Sequence, residues 1–275
     1  MHGAKGGDAG DRGPMIVLAG PGTGKTRVIV HRIARILADG AEPDSVIAVT
    51  FTNKAARQLR ERLAEIVGTR SASRIHARTF HALGLRLVRR FASDLGIPAP
   101  RADASVLDSA QRTRLIREAV TTLGLFPDRR AQGLDALTEV IGSAIRALTT
   151  RAIEPAACAD FIETWTQRIA GGHDSAGRPA DAAAILAERA RLDEFRQITS
   201  AYEWFCNESR RRGWLSFDDL IMLPIRLLRE SSRAAAIIRA EFRHALVDEF
   251  QDVNAGQITL LEGLFPAAAE SPGPD

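Results

Sequence analysis

A glycine-rich turn set between an apolar run and an amphipathic helix constrains this chain more than any other feature. Residues 15–19 (MIVLA) are short and apolar, as a buried parallel strand would be. Gly20, Gly22 and Gly24 follow at once, and Ile29, Ile33, Ile36 and Leu37 then recur at helical spacing. The turn itself reads Ala19-Gly20-Pro21-Gly22-Thr23-Gly24-Lys25-Thr26. Glycines let successive backbone N–H groups turn inward around phosphate oxygens, and a helix N-terminus favours negative charge. Lys25 would bring a compact ammonium to the β- and γ-phosphates of a nucleotide, and Thr26 a hydroxyl to Mg²⁺. The strict form of this pattern begins with glycine; here the small residue Ala19 takes that place.

A phosphate loop needs an acid at the end of a neighbouring strand. Residues 244–250 (HALVDEF) supply a final apolar strand that ends in acids. Asp248 is suited to holding Mg²⁺, and Glu249 to orienting and deprotonating an attacking water. Lys25 and Asp248 are 223 positions apart. A few strand–helix units of roughly 30 residues each would bridge them, so the surplus predicts an insertion.

The remaining pattern agrees. Residues 46–51 (VIAVTF) read as a second buried strand. Ala55, Ala56, Leu59, Leu63, Ile66 and Val67 mark a helix. Residues 74–80 alternate Ile75, Ala77 and Thr79 as a third strand would, and Leu83, Leu87, Val88 and Phe91 give a third helix. This is an α/β layer with a parallel sheet flanked by helices. From 96 to 212 strand signals vanish, and Leu115, Ile116, Ala119, Val120 and Leu123, then Ile185, Leu192, Ile198, Tyr202 and Phe205, keep helical spacing around a loop at 171–179. An inserted all-α subdomain is expected there. Ser216 to Asp219 offers a capping-box start for a helix that contains Pro224.

The net charge of +3 conceals an asymmetry: segment 54–101 carries eleven Lys/Arg against three Asp/Glu. Such a block suits either a polyanion partner or a set of solvated helix faces. Only Lys5, Lys25 and Lys54 are lysines among the 37 basic residues, and two of the three fall inside motifs. Cys158 and Cys206 fit no metal or redox spacing and read as free thiols of a cytoplasmic protein. No apolar run approaches the ~20 residues of a membrane span. Residues 1–14 and 266–275 read as disordered tails, the first without the apolar core of a signal peptide.

Four stretches together resemble the UvrD/Rep/PcrA family of superfamily 1 DNA helicases: AGPGTGKTRVIVHRI (19–33), AVTFTNKAA (48–56), RTFHALG (78–84) and LVDEFQDVN (246–254). WLSFDDLI (214–221) adds to the likeness. The resemblance implies a RecA-like ATP-binding domain from 15–95 plus 213–265, interrupted by a helical subdomain at 96–212. It implies ATP and Mg²⁺ as cofactors, bound through residues 19–26 and Arg27, with Lys25, Glu249 and Gln251 catalytic and Gln251 sensing the γ-phosphate. Phe51, Thr52, Asn53, Lys54, Thr79, Phe80 and His81 would lie along single-stranded DNA or a junction of single and double strands. The residue types are compatible with this, since Thr, Asn and Lys donate to phosphates and Phe51 could stack on a base. They are equally compatible with Phe51 and Phe80 as core, His81 as a structural hydrogen-bonder and Asn53 as a helix cap.

Residues 1–14 hold no glutamine of the kind that reads adenine in this family, and 255–275 hold no third motif. The family's second RecA-like domain, with its arginine finger, is not among these residues. The expectation is the ATP- and DNA-binding portion of a 3′-to-5′ helicase with little activity alone. Two other readings stay open: one subunit of a split motor whose second domain lies on another chain, and a non-catalytic DNA-binding or interaction module.

Overall fold

The computed structural model describes residues 15–20, 23–97 and 106–266. The two expected tails lie outside these residues, apart from Pro266, as do Pro21 and Gly22 of the glycine turn. The chain begins with helix α1 (Lys25–Ala38), strand β1 (Val46–Thr50), α2 (Asn53–Val67), α3 (Thr69–Arg74), β2 (His76–Thr79) and α4 (Phe80–Arg90). A run of helices follows: α5 (Ser109–Thr122), α6 (Pro127–Gln132), α7 (Leu134–Thr149), α8 (Pro155–Ala170) and the 30-residue α9 (Ala182–Arg211). The chain then returns through α10 (Asp219–Glu230), α11 (Ser232–Glu241), β3 (His244–Val247) and α12 (Ala255–Leu264).

Among the described residues the sheet has three parallel strands in the order β2-β1-β3. All five residues of β1 are buried, which explains its apolar run Val46–Val49: both faces are covered. Ile47 and Val49 face a cluster with Phe80, Leu83, Leu227 and Phe242 from α4, α10 and the end of α11. Val46 and Ala48 face Val30 and Ile33 of α1 and Leu59 and Leu63 of α2. A separate core joins α5, α7 and α9 through Leu115, Ile141, Ile145, Tyr202 and Phe205. At the far end of α9, Glu188 accepts hydrogen bonds from Trp165 Nε1 at 2.8 Å and Ser175 N at 3.1 Å, so a buried carboxylate ties α8 and the following loop to α9. The helical run is thus stitched by its own apolar contacts, apart from the sheet.

Several elements differ from expectation. Residues 15–19 form no strand: Met15, Ile16, Val17 and Leu18 are exposed and have no ladder partner among the described residues. An apolar run becomes a strand only where another strand completes its hydrogen bonds, and among the described residues none of the three strands pairs with 15–19. The strand expected from residue 74 starts at His76, because Thr69–Arg74 coil into α3, and it ends at Thr79, whose hydroxyl accepts from Ala82 N and caps α4. Ser216 and Asp219 exchange two hydrogen bonds, Ser216 N to Asp219 Oδ2 at 2.7 Å and Asp219 N to Ser216 Oγ at 3.1 Å, as the sequence suggested. The free cysteines form no disulfide. No helix among the described residues is long and apolar enough to cross a membrane.

Helices α4 and α10 touch backbone to backbone. A Cβ on Gly84 would lie 1.6 Å from the Leu220 carbonyl oxygen. Gly84→Ala is therefore expected to cost at least about 2 kcal/mol of stability in urea denaturation; an unchanged midpoint would mean the helices do not meet there. A second expectation concerns His76, buried edge-on against Phe242 with Arg86 Nη1 2.6 Å from its Nδ1. A guanidinium can only donate, so the imidazole accepts and is neutral. Burial, then the charges of Arg86 and Arg78, lower its pKa from 6.5 to about 4. Below pH 6.5 the unfolded chain takes up a proton that the folded chain refuses, so this stability is complete above that value and is lost as pH falls toward 4. The loss is roughly 3 kcal/mol, and denaturation midpoints for His76→Gln should depend less on pH over this window than those of the parent.

Candidate nucleotide and nucleic-acid site

Lys25 opens α1, and Gly24 precedes it at φ 92°, in the left-handed region where glycine alone is unstrained. No side chain caps this helix and its first turn contains no acid. Its leading amides and the positive end of its dipole are therefore left to an anionic ligand. The described part of the turn folds back on itself, with Thr23 Oγ1 donating to the Gly20 carbonyl at 2.7 Å. Ala19, Gly20, Thr23, Gly24, Lys25 and Thr26 follow one another through this turn. Arg27 is exposed in the first turn of α1 and points its Nε at His31 Nε2, 3.4 Å away.

The acids arrive from β3. Asp248 N donates to the Val49 carbonyl at 2.9 Å, which extends the β1 ladder by one bond beyond Val247. Glu249 then turns the chain at φ 51°, a left-handed conformation that a non-glycine residue rarely adopts and one that often marks functional sites. Its carboxylate meets Lys25 Nζ at 3.3 Å and accepts from Gln251 Nε2 at 2.6 Å. The Gln251 hydrogen bond, followed by the one from Lys25, holds the Glu249 carboxyl below its ordinary pKa, so it is ionised at neutral pH. Asp248 behaves oppositely: burial, assisted by the like charge of Glu249, raises its carboxyl, while Lys25 and Arg62 pull it down. Residues far apart in sequence thus share one electrostatic environment at the C-terminal ends of β1 and β3, the usual position for ligands of an open parallel sheet.

The other expected residues lie along the same rim with different exposure. Thr52, Asn53 and Lys54 are exposed at the head of α2. The cap of α2 is Thr52, whose Oγ1 accepts from Ala55 N at 3.0 Å; Asn53 is the first helical residue. Thr79 is buried and occupied in capping α4. Phe80 corrects the expectation: at 1% exposure it is core, and its ring meets half-buried Phe51 edge-on at 6.2 Å. As placed it supports Phe51 and offers no surface to a base. The alternation of β2 hides this, because the first residue of α4 turns inward to the cluster beneath Val49.

His81 is half-buried and stacks on Phe217, with ring centroids 3.6 Å apart and planes 23° from parallel. Phe217 is 56% exposed, which is unusual for so large an apolar ring beside such a site. Sequence reasoning gave it no role; the available signal was an aromatic inside the 214–221 stretch immediately ahead of the acidic pair Asp218–Asp219.

A sequence model of the family described as UvrD/REP helicase N-terminal domain matches residues 8–270. The chain is 32% identical over 259 residues to the ATP-dependent DNA helicase Rep of Escherichia coli, covering 94% of this chain and 33% of Rep. It is 30% identical over 250 residues to the ATP-dependent DNA helicase PcrA of Leuconostoc citreum, covering 90% of this chain and 28% of that protein. It spans about a third of the length of these curated relatives. With the glycine turn, the strand-end acids and the parallel sheet in the order the family requires, this chain belongs to the UvrD/REP helicases and corresponds to their N-terminal portion.

Proposed function

We propose that this chain binds ATP with Mg²⁺ and single-stranded DNA, or a junction of single and double strands, as part of a 3′-to-5′ DNA helicase. The observation that carries this reading is the 3.3 Å approach of Lys25, at an uncapped helix head, to Glu249 at the end of β3. Residues 15–95 with 213–265 form the ATP-binding unit, and 96–212 the inserted helical unit. Support for that division comes from the two sets of apolar contacts, one around β1 and one around α9. The relatives named above are ATP-dependent DNA helicases, and a cytoplasmic location suits the two free thiols.

In this reading the first-turn amides of α1, with Ala19 to Arg27, hold the triphosphate. Lys25 exchanges its Glu249 partner for phosphate oxygens when nucleotide enters. The Thr26 hydroxyl and the Asp248 carboxylate are hard oxygen donors of the kind Mg²⁺ prefers alongside phosphates. The ion would supply charge neutralisation at the phosphates. Glu249, ionised and aimed by Gln251, is the base for water, and Gln251 contacts the γ-phosphate. Phe51, Thr52, Asn53, Lys54, Thr79 and His81 follow the DNA strand, with Phe80 acting only from beneath. Phe217 joins them, since the His81–Phe217 pair presents an exposed aromatic surface on which a base can stack.

Two measurements test this. Lys25→Ala should weaken ATP binding by about two orders of magnitude in calorimetry; unchanged affinity would refute the phosphate site. Phe217→Ala should weaken binding of a labelled oligothymidine by about five- to a hundredfold with ATP affinity preserved. An oligothymidine affinity equal to the parent's would remove the stacking surface from the interface.

A further inference from the structure

β2 is an edge strand that carries a charge, whereas its neighbour β1 carries none. Alternation sends Ala77 to the face shared with α1 and α2, and His76 and Arg78 to the opposite one. Arg78 pairs in register with Val49, one residue short of the rim where Thr79 ends the strand. It is half-buried, and its Nε is enclosed and hydrogen-bonded to nothing. A buried charged donor without an acceptor is costly, and such groups in folded proteins call for a missing ion or ligand.

The surroundings sharpen this. Arg86 and Arg90 both pair with the single carboxylate of Glu241. Arg60, exposed on α2, makes no ion pair among the described residues. The nearby charges of Arg86 and Arg60 add to burial in lowering the Arg78 pKa. Arg78 therefore has two like charges in its surroundings, while the Glu241 carboxylate is already shared between Arg86 and Arg90. Arg74, by contrast, has Asp44 at 2.8 Å and Glu42 at 3.0 Å. An excess of planar, multiply donating cations with an unsatisfied buried nitrogen is suited to a phosphate-type oxyanion.

We propose that Arg78, flanked by Arg60 and Arg86, forms a phosphate site at the outer edge of β2 that takes a backbone phosphate of single-stranded DNA. The site rests on the DNA-binding reading above and lengthens the contact beyond Thr79, away from the nucleotide. It neutralises charge without reading sequence.

The test is fluorescence anisotropy of labelled oligothymidine with the 275-residue chain across a range of NaCl concentrations. Arg78→Ala and Arg78→Gln should each lower affinity by about three- to tenfold and reduce the log–log salt slope by about 0.7, the value for one phosphate contact on a single strand. Arg78→Lys should keep most of the slope. Arg74→Ala, which removes an internally paired charge, should leave slope and affinity unchanged. Far-UV circular dichroism checks folding, and either neutral variant suffices if the other misfolds. A parent chain that binds no oligothymidine at any salt would defeat the DNA reading itself. A parent that binds, with an unchanged slope in the folded neutral variants, would overturn this site alone. Millimolar inorganic phosphate that raises the melting temperature of the parent but not of Arg78→Gln, with the DNA slope unaffected, would identify a free anion as the ligand and likewise overturn the DNA assignment.

Discussion

β1 is hydrogen-bonded along both edges, to β2 on one side and β3 on the other, and all five of its residues are buried. Those two ladders level the ends of three strands that lie far apart in sequence. Thr50 stands beside Thr79, and Val49 beside Val247. What leaves the sheet at that level leaves together: Phe51 and Thr52 from β1, Phe80 and His81 from β2, Asp248 and Glu249 from β3. Parallel pairing converts three short sequence stretches into one continuous rim. The head of α1 joins this rim through the Lys25–Glu249 contact. An antiparallel pairing of the same strands would send the acids of β3 and the residues that follow β1 and β2 to opposite ends of the sheet.

Charge is organised differently at the two parts of this rim. At the head of α1, opposite charges have settled on one another, Lys25 against Glu249 with Gln251 holding the carboxylate in place. On the far side of β2 the balance is unequal. Part of the basic charge counted in residues 54–101 is locally paired, with Arg57 on Glu61, Arg74 on Glu42 and Asp44, and Arg86 and Arg90 on Glu241. A count of basic residues thus overstates the attraction for a polyanion. The useful quantity is the charge left after local pairing, and around Arg78 and Arg60 it is not cancelled.

The parts legible from sequence were those where local chemistry and global position agree. The glycine turn, the acids after an apolar run, the three-helix texture of α5, α7 and α9, and the Ser216–Asp219 box each rest on short-range rules. The parts that were not legible depend on tertiary partners. Residues 15–19 have a strand's composition but no ladder beside them. Phe80 and Phe217 are the same residue type in similar motif settings, yet one is core and the other exposed. Nothing local separates them; the first opens a helix whose inner face lies on Val49, and the second sits in a loop before α10. The pairing of His81 with Phe217 joins residues 136 positions apart, which periodicity cannot disclose.

The Gly84–Leu220 contact lies close behind that aromatic pair in both chain segments, three residues after His81 and three after Phe217. Main chain against main chain leaves no rotamers to adjust. The two rings are therefore spaced by the rigid crossing of α4 and α10 and not by their own packing. A pair of rings fixed in this way has little freedom left to lose to a flat ligand, so whatever it could contribute to binding is set during folding.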